Sequence, residues 1–468
     1  MVWQDFAPAI YHTPTIEFYA TVEAELRDNI RRLRNHPSIV LWCGNNETEL
    51  IWDLLMKKAF GLEAPPNRAL GPLGALFPKG TAAPEVTERV IRSYDTLFYH
   101  MIPEAIAAYD YNARDYWPSS PLSAPKEVIS LDRPQSGDLH FYIAMLGLPV
   151  TDYPKFEARF FSEHGFHGWP GKETVYEFTS PEDRRTDSPV MAAHVREMQG
   201  NALLGRYIAM HYREPVDFDA YIYLSQVLQA FTMKLALETH RSRMPYTMGS
   251  LYWQLNDVWP GATWASLDYK NRPKALHYTV EKAFRPVILA STQENDSLKV
   301  RAVSDLREGF TGRLRIRILD VNGKVVHESG SRVTVAANTS TLAYAASMAD
   351  LGVPADRTNL VCELVLTRGK KTEATNLHYF VLPRDLALED PGIQWSLNQA
   401  GEAFELTVRS RSLAKDLYFE GKGRFSDAFF DLLPGQTKVI RVESALGLEE
   451  LRSSLRPYSV WDTYDHGK

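Results

Sequence analysis

The sequence has only two cysteines, Cys43 and Cys362, so neither a disulfide framework nor a cysteine-based metal knuckle organises the fold. No apolar run approaches the roughly 18 residues that a membrane-crossing helix needs. There is no excess of basic charge either: 52 lysines and arginines stand against 58 aspartates and glutamates, a formal net charge of −6. That balance gives no general pull toward nucleic acid or an anionic membrane. Internal repeats and low-complexity segments are absent. The first residues, Met1-Val2-Trp3-Gln4-Asp5-Phe6, show no charged leader, apolar leader core or cleavage site. They start inside what reads as a short apolar strand and leave the cellular compartment open.

What is present is ordinary bulk with one excess. The chain has 468 residues, 44% hydrophobic and 24% charged, a globular balance in a chain expected to divide into two to four domains. Aromatic residues reach 12%, with 10 tryptophans and 23 tyrosines. Large rings mostly pack cores. Flat rings also stack on the apolar faces of sugars, so the count leans toward carbohydrate without deciding anything.

Two textures divide the chain. Residues 1–287 alternate helical periodicity with short apolar runs. Ile16, Tyr19, Val22, Leu26, Ile30 and Leu33 recur at three and four residues and predict a helix over 15–34, stopped by Asn35-His36-Pro37. Ser38 to Gly44 follows as an apolar run suited to a strand buried on both faces, and Glu49 to Met56 looks helical again. Ala158–Glu163 and Met248–Trp253 repeat the strand pattern, with a long helical stretch at 218–241 between them. This rhythm predicts parallel βα units, and polar residues gather where each apolar run ends, as at the mouth of a (β/α)8 barrel. From about Pro286 the period becomes two. Leu314, Ile316 and Ile318 alternate with arginines, Asn322-Gly323 marks a hairpin, and Val361–Leu366 and Phe404–Val408 continue the strand texture. Pro383-Arg384-Asp385 and Pro391-Gly392 suggest a boundary between two β-sandwiches. The expected fold is therefore multidomain, α/β followed by all-β: a partial barrel over 1–287, an immunoglobulin-like sandwich over 288–384 and a C-terminal sandwich over 385–468.

Two carboxylates stand out. Glu47 ends Trp42-Cys43-Gly44-Asn45-Asn46-Glu47, just past a predicted strand, and Asn46 beside it could donate a hydrogen bond to a sugar hydroxyl. The same pattern also describes a plain helix N-terminus, where asparagine caps and glutamate favours the dipole. Glu163 repeats the arrangement in Ser162-Glu163-His164-Gly165-Phe166, 116 residues later. Barrel units of roughly 31 residues put these strands three apart with room for a loop. Retaining glycosidases need such a pair about 5 to 5.5 Å apart, one ionised to attack the anomeric carbon and one protonated to release the leaving group.

Arg34-Asn35-His36-Pro37-Ser38 running into Trp42–Glu47 resembles the acid/base segment of glycoside hydrolase family 2 β-mannosidases. Ser162–Phe166 is similar to their nucleophile segment, and Gly249–Asp257 with Trp259-Pro260 resembles their eighth strand and its loop. Tyr116–Pro121, Gly137-Asp138-Leu139-His140 and Trp3–Phe6 look like the ends of strands five, six and three, and Arg424–Gly435 resembles the last sandwich. The resemblance runs in order along the whole chain. It implies an incomplete TIM barrel, strands three to eight, and hydrolysis of terminal non-reducing β-D-mannose with retention, on a manno-oligosaccharide or glycan. Glu47 would be acid/base and Glu163 nucleophile, Asn46 would meet the axial 2-hydroxyl, and Trp253 would wall the pocket. Trp3, Asp5 and Trp52 would line its rim. No cofactor and no metal are expected; His164 and His167 have a tempting spacing but no supporting cluster.

Departures qualify that picture. His164 stands where the family usually has an aromatic residue, and Phe141-Tyr142 replaces an expected Tyr-Trp. The Arg-x-Trp-Gly-Gly segment of the second strand and the two preceding domains have no counterpart in the sequence. The expectation is a truncated form with little activity alone, partnered by a missing N-terminal half. The rival expectations are another family 2 exo-β-glycosidase, a glucosaminidase or galactosidase, and a non-catalytic carbohydrate-binding or assembly subunit.

Overall fold

A computed structural model describes residues 1–8, 14–52, 84–112, 114–122, 136–294 and 296–466. The chain forms two compact units, one of Met1–His164 with Tyr246–Leu251, the other of Gly165–Pro245 with Tyr252–Lys468.

In the first unit, strands β1 (Val2–Asp5), β2 (Ile39–Cys43) and β3 (Asp115–Trp117) make a parallel sheet in that order. Strands β4 (Leu139–Phe141), β5 (Phe160–His164) and β6 (Gly249–Ser250) make a second. Between β1 and β2 runs the expected helix, Ile16–Leu33. Thr15 caps it, its hydroxyl accepting the amide of Phe18 at 3.2 Å. Its buried face is Val22, Leu26 and Ile30, four residues apart and so in one line down the helix. With Phe6, Ile39, Trp42, Phe98 and Ile102 these form a single core. Burying Leu26 and Ile30 contributes roughly 2 kcal/mol each. Phe6 and Trp42 stack at 5.5 Å and 12°.

One expectation is corrected here. The run 38–44 is not buried on both faces: Trp42 and Cys43 are fully enclosed, but Val40 is 44% exposed. Of the helix expected at 49–56, Thr48–Ile51 is observed, and the expected positions from 53 on lie outside the described residues. The six parallel strands follow chain order, but among the described residues they form two separate sheets. The joint between β3 and β4 is made by Asp138. Its amide donates to Leu122 O at 3.1 Å, and its Oδ1 accepts Leu122 N and Trp117 Nε1, both at 2.9 Å.

The second unit carries the 25-residue helix Phe218–Ser242, whose cap Asp217 accepts Ala220 N at 2.8 Å. It is buried over much of its circumference, which is why its apolar pattern is broad rather than a stripe. Further on, a four-stranded and a three-stranded antiparallel sheet pack over Leu298, Val300, Leu314, Ile316, Ile318 and Leu364. The hairpin at Asn322-Gly323 joins Phe310–Asp320 to Val325–Val335, with Gly323 at φ +89°, where glycine costs nothing. A second pair of sheets, over Leu406, Val408, Leu417, Ile440 and Val442, follows the short turn Pro383–Asp385. The period-two texture thus becomes two β-sandwiches.

Candidate active site

The site lies within the first unit, where β2, β4 and β5 end. Beyond β2 the chain turns sharply at Gly44. A Cβ there would sit 2.3 Å from Pro118 O and 2.4 Å from the Tyr116 hydroxyl, so only glycine fits. Asn45 is buried and ties the turn: its Oδ1 accepts Thr48 N at 3.0 Å and the Ser119 hydroxyl at 2.7 Å, and its Nδ2 donates to Pro118 O at 3.0 Å. Glu47 follows in the left-handed region, φ +59°, a conformation that costs a non-glycine residue about 1–2 kcal/mol. Its amide donates to Ser120 O at 2.6 Å. Glu47 stands at the helix N-cap but makes no capping bond. Asn45 caps instead, and the Glu47 carboxyl is left free to face the neighbouring strands.

His140 on β4 and Glu163 on β5 are register partners. His140 Nδ1 lies 2.9 Å from Glu47 Oε1 and 3.4 Å from Glu163 Oε2, and one ring nitrogen or carboxyl oxygen from each of the three residues lies within 4.8 Å of the others. Its Nε2 is 3.0 Å from the Ser120 hydroxyl. Tyr142 donates to Glu163 Oε2 at 2.8 Å. The side chain of Glu47 keeps 32% of its surface open, that of Glu163 14% and that of His140 2%. Of the two carboxyls, Glu47 is the one that solvent reaches more easily.

The electrostatics divide unevenly. Burial pushes the Glu163 carboxyl above the ordinary carboxylate range, while the charge of His140 and the Tyr142 hydrogen bond pull it back. Burial works against the charge on His140, but the Glu47 hydrogen bond and the charges of Glu163, Glu47 and Asp138 outweigh it and hold its pKa above the ordinary value. Burial and the adjacent Glu163 push the Tyr142 phenol far up, so it stays a donor. An attacking carboxylate must be ionised, and burial alone would work against that at Glu163.

The structure thus brings Glu47 and Glu163 together. Asn46 is exposed and bridges to Ser120. Trp3 donates its indole N–H to Asp5 at 2.9 Å and packs against Phe160 at 5.8 Å, and Asp5 is close enough to feel the charge of His140. Trp52 is half-buried where its helix ends. Trp253 belongs to the second unit, where it is 41% exposed. His164 contacts the Ser250 hydroxyl at 2.9 Å, and His167 stacks on Phe166; neither is part of the three-residue cluster. Sequence reasoning gave no role to His140, Tyr142, Asp138, Ser120 or Ser162. The signal was there in Asp138-Leu139-His140-Phe141-Tyr142-Ile143. Leu139, Phe141 and Ile143 are fully buried, so the alternate polar residues share the opposite side, facing the carboxyls.

Comparison with known proteins extends along the chain. Residues 296–385 match the family model of a mannosidase Ig/CBM-like domain and residues 388–463 that of an Ig-fold domain. β-Mannosidase of Capra hircus is 29% identical over 497 residues, covering 99% of this chain and 54% of the relative. β-Mannosidase A of Emericella nidulans is 27% identical, covering 99% and 53%. The crystal structure of β-D-mannosidase from Dictyoglomus thermophilum superposes with a TM-score of 0.82 at 29% identity, over 98% of this chain and 53% of that one. Exo-chitosanase CsxA of Amycolatopsis orientalis, at 15% identity and a TM-score of 0.66 over 96% of this chain and 54% of that one, shares the fold. The chain spans about half the length of the relatives it matches.

Proposed function

We propose, from the premise that this chain is homologous throughout to the C-terminal portion of family 2 β-mannosidases, that it carries the catalytic pair of a retaining exo-β-mannosidase. In this reading Glu163 attacks the anomeric carbon of a terminal β-D-mannose and forms a glycosyl-enzyme. Glu47 protonates the departing oxygen and then deprotonates the incoming water. Asn46 meets the 2-hydroxyl, with Trp253, Trp3, Asp5 and Trp52 around the sugar. The six parallel strands are then strands three to eight of a (β/α)8 barrel, with the site at their C-terminal ends.

One observation carries the reading: a carboxyl from the turn after β2 and one from β5 present oxygens within 4.8 Å of each other beside His140. That close approach supports a retaining pair over the wider gap that an inverting enzyme leaves for water. The test is a panel of 4-nitrophenyl β-glycosides, with the product anomer followed by proton NMR. The mannoside is expected to be the best substrate and β-mannose the first product. Glu163→Ala should lose about 10³-fold or more in kcat, and azide should restore Glu47→Ala with the β-mannosyl azide as product, by trapping the glycosyl-enzyme, whereas any azide product of Glu163→Ala should be the α-anomer. Because the relatives are about twice as long, a full-length relative is assayed alongside; this chain should turn over more slowly with the same stereochemistry. α-Mannose as first product, or preference for a glucosaminide or galactoside, would overturn the assignment.

A further inference from the structure

The hydrogen-bond network fixes where protons can sit, and it centres on His140. Ser120 has one hydroxyl proton, which it gives to Asp138 Oδ2 at 2.6 Å. The same oxygen accepts the Ser162 hydroxyl at 2.5 Å, and Asp138 Oδ1 takes the Trp117 and Leu122 N–H groups. Toward His140 Nε2, 3.0 Å away, Ser120 therefore offers a lone pair, and Nε2 must carry a hydrogen. Nδ1 then faces two carboxyls, at 2.9 and 3.4 Å. Carboxylates only accept. If both are ionised, Nδ1 must be protonated; if Nδ1 is bare, one carboxyl must hold the proton.

We propose that His140 is the positioning residue of this site: its Nδ1 shares one proton with Glu47 and Glu163, keeps it off Glu163 and supplies it to Glu47 in each turnover. This rests on the retaining-glycosidase reading above. The Nδ1–H bond breaks with its electron pair left on nitrogen, and the proton bonds to Glu47 Oε1. Glu47 passes it to the glycosidic oxygen as the bond from that oxygen to the anomeric carbon breaks, its pair going to the oxygen while Glu163 donates a pair to the carbon. In the second half, water bonds to the carbon and gives a proton to Glu47. Glu163 leaves with its electron pair, and the proton returns to Nδ1. One water is consumed and no other reagent is needed.

The other groups facing His140 agree with this role. Glu47 comes from the β2 turn, Asp138 from the start of β4, Glu163 from β5 and Asp5 from β1, all acidic, and they favour the imidazolium. Tyr142, from the end of β4, donates to Glu163 and does not compete for the histidine proton. The histidine charge in turn is the largest influence opposing protonation of Glu163.

The experiment has two readouts on the full chain, with a chelator present throughout. Histidine ring carbons are labelled, the His140 signal is assigned with His140→Asn, and its titration is followed by NMR. In the wild-type chain His140 should stay protonated above the ordinary histidine value of about 6.5, and Glu47→Gln or Glu163→Gln should each lower it by about one unit. An ordinary titration unmoved by either variant overturns the proposal, whether or not the chain turns over. The second readout is the leaving-group dependence of His140→Asn. kcat/KM should fall more than tenfold for phenyl β-mannoside and little for the 2,4-dinitrophenyl mannoside, whose departure needs no proton. The alkaline limb should move down by about one pH unit, since the proton then sits on a carboxyl alone. Equal losses on both substrates with an unmoved limb indicate a merely structural histidine and sink the proposal. Absence of any retaining turnover in the wild-type chain would instead strike the functional reading, while the titration still decides the proton sharing.

Discussion

At the scale of single residues, Glu163 sits between opposing effects. Its burial favours the neutral acid, and two neighbours restore the anion: the His140 charge and the Tyr142 hydroxyl at 2.8 Å. Tyr142→Phe removes one donor and little volume. A hydrogen bond to the charged form lowers a carboxyl pKa, so losing it raises the Glu163 value further. The ionised fraction of Glu163 then falls at acid pH. The acid limb of kcat/KM should shift upward, with a loss of about 10-fold at neutral pH, measured as a pH–rate profile on the aryl mannoside. An unmoved acid limb would mean that the phenol does not govern the ionisation of Glu163. Tyr142 was visible in the sequence only as a departure from the family pattern. A side chain's hydrogen-bond partner depends on which strands are register neighbours, and no single strand contains that information.

At the scale of elements, the sequence was most legible where the local signal and the tertiary need coincide. The helix Ile16–Leu33 matches its apolar spacing to within a residue at each end, and Thr15 caps it as its position suggests. The arginine-alternating strand and its Asn322-Gly323 turn are equally plain. The strand ends were less so. β6 is only two residues long, where the apolar run suggested six, because its ladder with β5 is confined to Phe160–Gly249 and Phe161–Ser250, and hydrophobicity alone does not set where pairing stops. Nor did period or composition mark the turn after β2, where Gly44, Asn45 and Glu47 act together to aim one carboxyl. Gly44→Ala tests that turn. Its Cβ would lie 2.3 Å from a backbone carbonyl, which cannot swing aside as a side chain could. The variant should lose about 1–3 kcal/mol of stability and disproportionately more activity, since the displaced segment carries Glu47. Gly205→Ala is the control. It lies within the helix Gly200–His211 with nothing within 4 Å of the added methyl, so it should be neutral or gain up to about 1 kcal/mol. Urea midpoints for the two variants give the comparison.

Across the whole molecule, buried histidines of opposite character should shape stability against pH. His164 and His167 are almost fully enclosed, and burial pushes each down to about 3. An unfolded histidine titrates near 6.5, so between about 6.5 and about 3 the unfolded chain binds protons that the folded one refuses. Their contribution to stability is complete above that window and is lost progressively as the pH falls through it. His140 runs the other way: with a folded value above the unfolded one, its contribution is complete below about 6.5 and fades as the pH rises through the folded value. Stability should therefore peak in the weakly acid to neutral range, with flanks set by different residues. Replacing His164 by Phe removes one titrating group from the acid flank. Whatever the substitution does to stability at neutral pH, the decline of the unfolding free energy between pH 6.5 and 4 should become shallower by about one proton's worth of slope. His140→Asn should leave that flank alone and flatten the alkaline one. Urea unfolding at half-unit pH steps measures both slopes. Parallel curves for His164→Phe and the wild-type chain would show that His164 is not held neutral by burial.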